Sequence, residues 1–108
     1  MELFRALGLS ESTLAALEKK GFSKPSPIQE RTIPTLLSTD KDVVGQAQTG
    51  TGKTAAFLLP VMNRLLKNHV DRHTGALIVV PTRELAIQIS QHIEGLSYFT
   101  HLSSIAIY

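Results

Sequence analysis

Asp42-Val43-Val44-Gly45-Gln46-Ala47-Gln48-Thr49-Gly50-Thr51-Gly52-Lys53-Thr54 is the stretch on which the fold turns. Its first three residues read as a short buried strand, and a loop over residues 45–52 with three glycines follows at once. Within it, residues 47–54 form a Walker A sequence with alanine in place of the usual first glycine. Gly50 and Gly52 let backbone N–H groups turn inward toward phosphate oxygens. The helix that begins near Lys53 aims its positive dipole end at them, and the lysine ammonium neutralises the terminal phosphates. The Thr54 hydroxyl is placed to complete the coordination of Mg²⁺. In a chain this long such a match arises by chance on the order of one time in a hundred. Here it also sits between an expected strand and an expected amphipathic helix, the context it needs to work. The competing reading is a Gly-Thr turn beside a surface lysine.

Downstream, Phe57, Leu58, Val61, Met62, Leu65 and Leu66 recur at spacings of three and four, the pattern of a helix packed on a core and bent by Pro60. After a polar stretch at 68–75 comes Ala76-Leu77-Ile78-Val79-Val80, a continuous apolar run such as strands covered on both faces show, ended by Pro81. Leu85, Ile89 and Ile93 mark one stripe of a further helix closed by Gly95, and Ser104-Ile105-Ala106-Ile107-Tyr108 reads as a third strand. Upstream, Ser10 caps a short helix carrying Leu14 and Leu17, with Lys19 and Lys20 in its last turn and Gly21 as the stop. Pro25-Ser26-Pro27 opens another: Ser26 is at the N-cap, Pro27 suits the first helical position and Gln29 falls three residues after the cap. Pro34 kinks or ends that helix. Strand, helix, strand, helix, strand implies an α/β fold, a parallel sheet of three strands flanked by helices with right-handed crossovers.

With 108 residues, 43% hydrophobic and 19% charged, the chain has the balance of one soluble globular domain or a piece of a larger one, which argues against disorder. It has no cysteine, which excludes a disulfide scaffold and any thiolate metal site and fits a reducing compartment. Glu2 and Arg5 interrupt the apolar residues of the N-terminus, so no secretory signal core is present there. No window approaches 18 apolar residues, so no membrane partner is expected and the cytoplasm is the simplest location. The net charge of +2 is spread along the chain, and charge alone makes no case for nucleic acid. His69, His73, His92 and His101 lack the spacing of a metal site.

Gly21-Phe22-Ser23-Lys24-Pro25-Ser26-Pro27-Ile28-Gln29 resembles the Q motif of the DEAD-box RNA helicases. With residues 47–54 and Pro81-Thr82-Arg83-Glu84-Leu85-Ala86, it sets three motifs of that family in the family's order over essentially the whole chain. Phe4 matches the family's isolated upstream aromatic. The resemblance implies that residues 1–108 are an N-terminal fragment of a RecA-like P-loop helicase domain, with the Q-motif region at 3–31. It implies that ATP and Mg²⁺ are the cofactors. Gln29 would hold adenine through paired donor and acceptor bonds. Phe22 would lie against the base, with stacking worth ~1–3 kcal/mol, and Phe4 would join the nucleotide contacts. Gln48, Thr49, Gly50, Thr51, Gly52, Lys53 and Thr54 would hold the phosphates, Lys53 and Thr54 being the catalytic candidates and Thr54 the metal ligand. Pro81, Thr82, Arg83 and Glu84 would grip the RNA backbone. The residues alone leave other readings open. Ser26-x-x-Gln29 is also a capping box. Phe22 also suits packing on the neighbouring helix, and Phe4 suits the core. Thr82 also suits an N-cap, with Glu84 complementing the helix dipole.

Hydrolysis needs an acidic residue to hold Mg²⁺ and a group to position water, which the family places in an Asp-Glu-Ala-Asp motif. Aspartates occur here only at 40, 42 and 71: the first two precede the first expected strand at its wrong end, and Asp71 lies in the polar loop. The chain stops within an apolar run, and a second helicase domain of the same parent chain is the implied partner, closing over RNA. The expected parent is an ATP-dependent RNA helicase that remodels or locally unwinds duplexes, and this fragment supplies ATP and RNA contacts without hydrolysing ATP itself. The rivals are a non-catalytic ATP-dependent RNA clamp and a related superfamily DNA helicase; the complete 21–29 segment speaks against the latter.

Overall fold

A computed structural model of the chain describes residues 1–48, 50, 52–68 and 73–108. The expectations for Thr49, Thr51, His69 and Asp71 lie outside the described residues. Five helices are present among them: α1 (Glu2–Arg5), α2 (Glu11–Lys19), α3 (Pro27–Ser38), α4 (Lys53–Lys67) and α5 (Arg83–Leu96). None is long and apolar enough to cross a membrane.

The ends of α2 follow from their residues. Gly21 takes φ +87°, and the Phe22 N–H donates to the Leu17 carbonyl at 2.9 Å while the Gly21 N–H donates to Glu18 at 3.0 Å. This left-handed stop needs glycine and satisfies two carbonyls that the helix leaves without partners. Ser10 does occupy the N-cap, yet its hydroxyl pairs with the hydroxyls of Ser12 and Thr13 and not with the backbone. Its own N–H donates to Asn63 Oδ1 at 2.9 Å, fastening the start of α2 to α4.

Pro34 does not end α3, which continues to Ser38. Pro60 likewise sits buried inside α4, where helix–helix packing compensates for the backbone bond each proline removes. The apolar stripe of α4 is confirmed: Leu58 and Met62 are buried, and Phe57, Val61, Leu65 and Leu66 are half-buried. The core gathers Phe4, Leu9, Leu14, Leu17, Ile33, Leu58, Leu59, Met62, Ile89 and Leu96, and so draws on every helix. The main helix–helix packing is α3 on α4.

The expected sheet is overturned. Among the described residues there is no strand, and residues 41–48, 74–80 and 102–108 run as irregular backbone. The three-stranded parallel α/β reading therefore fails. An apolar run expresses a preference for burial, whereas a strand exists only through hydrogen bonds to a neighbouring strand, and these segments make no such ladder. Their burial also departs from a run covered on both faces. Ile78 and Val80 pack partly against the helical core, while Leu77 and Val79 are 85% and 84% exposed. Ile105 and Ile107 are open to a similar degree.

Candidate functional site

An open cleft of about 550 Å³ lies between the segment that leads from α2 into α3 and the loop that leads into α4. It is lined by Phe22, Lys24, Pro25, Ser26, Pro27, Gln29, Glu30, Gly50 and Gly52. Two of the three sequence motifs thus meet in one hollow.

Gln29 is the joint between them. The Ser26 N–H donates to Gln29 Oε1 at 2.9 Å, and the Gln29 N–H donates to Ser26 Oγ at 3.5 Å, so the capping box is formed. The side-chain Nε2 then donates to the Gly52 carbonyl at 3.2 Å, across twenty-three positions of sequence. Gln29 is only 3% exposed, as a bonded polar group can be. A side-chain amide has two donors and two acceptor lone pairs, so these bonds leave one N–H and one lone pair of Gln29 over.

On the other wall Gly50 and Gly52 take φ +83° and +86°, the left-handed region that favours glycine. Gly52 is the N-cap of α4 and has no side chain to cap it, and the first turn of the helix holds no acidic residue. The first N–H groups and positive dipole end of such a helix suit an anion. Lys53 begins the helix, exposed, and Thr54 follows half-buried. Among the described residues no three His, Asp or Glu gather as a metal site. The Thr54 hydroxyl is a single hard oxygen donor, so it fits Mg²⁺ that arrives with phosphate and water as its other ligands.

Phe4 is fully buried and meets Phe22 edge to face, ring centroids 6.1 Å apart, so it backs Phe22 without lining the cleft. Gln48 is exposed just before the glycines and does not line it either. Lys24, Pro25, Ser26, Pro27 and Glu30 were missed as lining residues, Ser26 having been read only as a helix cap. All five lie within five residues of Gln29 in sequence, and that proximity was the available signal.

Pro81, Thr82, Arg83 and Glu84 are exposed at the start of α5 and stand outside the cleft lining. Thr82 Oγ1 accepts the Leu85 N–H at 3.2 Å, the capping role open to it from the sequence, and the Arg83 guanidinium stands 5.0 Å from the centre of the Tyr108 ring. Asp40 and Asp42 border a separate hollow of about 210 Å³ with Arg64, away from the glycine loop.

Residues 26–108 match the family model described as DEAD/DEAH box helicase. Over 105 residues the chain is 50% identical to the DEAD-box ATP-dependent RNA helicase RhpA of Helicobacter pylori, a match covering 97% of this chain and 20% of that protein. The solved structure of the RNA helicase Prp28 from Chaetomium thermophilum bound to ADP superposes with a TM-score of 0.89 at 34% identity, covering 100% of this chain and 27% of that one. That of S. cerevisiae Dbp5 bound to RNA and ADP BeF3 gives 0.82 at 37% identity, covering 93% and 25%. The chain spans about a fifth of the length of RhpA.

Proposed function

The chain belongs to the DEAD/DEAH box helicase family, and on that premise we propose that it selects ATP and supplies part of the RNA grip of an ATP-dependent RNA helicase. The observation that carries this reading is the single cleft bordered by Phe22, Gln29, Gly50 and Gly52, with Gln29 bonded to the Gly52 carbonyl. The remaining N–H and lone pair of the Gln29 amide complement an adenine edge, and guanine presents the wrong groups. Phe22, held by Phe4 behind it, lies against the base. Gly50, Gly52, Lys53 and the start of α4 hold the phosphates, and Thr54 supplies one oxygen to Mg²⁺.

The proposal for RNA rests on Pro81, Thr82, Arg83 and Glu84, exposed at a helix start where backbone amides and an arginine suit a phosphate backbone. The similar structures of Prp28 with ADP and of Dbp5 with RNA and ADP BeF3 support the same assignment of ligands. In the parent protein a second helicase domain would close over RNA when ATP binds, and its place of work would be the cytoplasm. Hydrolysis belongs to that parent.

Titration of the chain with fluorescent ATP and GTP analogues in Mg²⁺ tests the reading. Lys53→Ala is expected to weaken both nucleotides by about 10- to 100-fold, the scale of a lost charge-assisted contact. Gln29→Ala is expected to abolish the preference for ATP. Equal binding of both nucleotides by the unsubstituted chain would sink the adenine role.

A further inference from the structure

The cleft is built where α3 and α4 begin, and further bonds that fix these helices against each other lie where they end. α3 finishes without the usual devices. Its last turn holds no basic residue, and its C-cap, Thr39, is extended and is not followed by glycine. Its terminal carbonyls therefore need donors from elsewhere. Thr39 serves the Thr35 carbonyl through its N–H and its hydroxyl, and Arg64, on α4, serves two more: Nη2 donates to the Leu36 carbonyl at 2.8 Å and to the Thr39 carbonyl at 2.7 Å, and Nη1 stands 3.5 Å from the Asp40 carboxylate. A guanidinium is suited to this because its fixed fork presents several N–H groups together, and a cation is favoured at a helix C-terminus. The neighbouring Asn63 fastens the start of α2 by accepting the Ser10 N–H at its Oδ1.

The two helices thus run side by side in the same direction, tied at their starts by Gln29 to Gly52 and at their ends by Arg64 to Leu36 and Thr39. A rotation or slide of α3 along α4 would move the Gln29 amide relative to the glycine loop. There is little slack for it, since even a methyl group at Gly52 would press on Gln29 Nε2.

We infer that Arg64 is a positioning residue for nucleotide selection: by holding the end of α3 against α4, it keeps the Gln29 amide in register with the phosphate loop. This rests on the ATP-selecting role proposed above. Arg64 stands outside the cleft lining, so its effect falls on the ratio of ATP to GTP affinity more than on phosphate binding itself.

The test measures Kd for fluorescent ATP and GTP analogues on the full chain and its Arg64→Ala, Arg64→Lys and Lys67→Ala variants, with circular dichroism melts beside them. Arg64→Ala is expected to lower the ATP preference about three- to tenfold, the scale of a partly lost charged hydrogen-bond pair. Arg64→Lys restores part of it, and Lys67→Ala, the same charge loss one turn on, leaves it unchanged. Should Arg64→Ala not fold, Arg64→Lys carries the test, with a smaller loss of the same ratio expected. An unchanged ratio, or equal weakening of both nucleotides, in the folded variant overturns the inference while the selecting role of Gln29 stands. An unsubstituted chain that does not prefer ATP overturns that role, and this inference with it.

Discussion

Gly50 and Gly52 share a left-handed backbone, but only one of them has a close neighbour. A Cβ on Gly50 would meet nothing within 4 Å, whereas one on Gly52 would press on Gln29 Nε2 and stand 3.0 Å from Ser26 Oγ. Gly50→Ala is therefore expected to cost only the backbone term, ~1–2 kcal/mol. Gly52→Ala adds the displacement of Gln29 from both the Gly52 carbonyl and the capping box, roughly a further 1–2 kcal/mol. Urea unfolding of the two variants checks the order, and equal losses would show that Gln29 yields freely. At this scale the sequence was informative about what each residue can do alone. The Ser26 cap, the Gly21 stop and the Thr82 cap were open to reading because their partners lie within five residues. The Gln29 bond to Gly52 and the Arg64 bonds to Leu36 and Thr39 were not, because such partners are chosen by packing across more than twenty positions.

Among the elements, α1 is held to α2 partly by charge. Arg5 donates through Nε to Glu11 Oε1 at 2.9 Å and through Nη2 to Oε2 at 3.2 Å, and it also pairs with Glu2 on its own helix. The Arg5 hydrogen bonds hold the Glu11 carboxyl below its ordinary range, against a smaller opposing effect of desolvation. The group is depressed in the folded chain, so its contribution is present above the unfolded value of ~4.3 and is lost as pH falls through the lower folded value. Thermal melts taken downward from neutral pH should show that increment of acid sensitivity in the native chain and lack it in Glu11→Gln. High salt should shrink it, since the pair is exposed. A Glu11→Gln chain with the same acid profile as the native one would leave this pair no part in acid stability. Periodicity located the long helices, α4 and α5, because an apolar stripe every three or four residues lines up on one face of a helix and on no face of a strand. It misjudged the apolar runs, because the same composition serves a paired strand and an unpaired segment alike.

For the whole molecule, helices enclose the core while residues 76–80 and 104–108 leave Leu77, Val79, Ile105 and Ile107 more than four-fifths exposed. Exposed apolar side chains in such number favour association. Sedimentation is expected to show concentration-dependent self-association that a Leu77→Lys, Ile107→Lys double substitution reduces. Its unfolding free energy should change by less than about 0.5 kcal/mol, as for other exposed sites; a large loss of stability would mean that these side chains are buried in solution. By itself the sequence determined the glycine-rich Walker A stretch, the Ser26 and Thr82 caps, the Gly21 stop and the family, since each rests on residue identity at short spacing; it misplaced the end of α5, which runs through Gly95 to Leu96, and the Ser10 hydroxyl makes no cap bond. Tertiary structure alone decided three things: that Gln29 joins the two walls of one cleft, that Phe4 lies behind Phe22 and outside the cleft lining, and that the apolar runs form no sheet. Each depends on which distant backbone comes to lie beside a residue. Local preference sets what a segment can bond, and packing sets whether a partner is there.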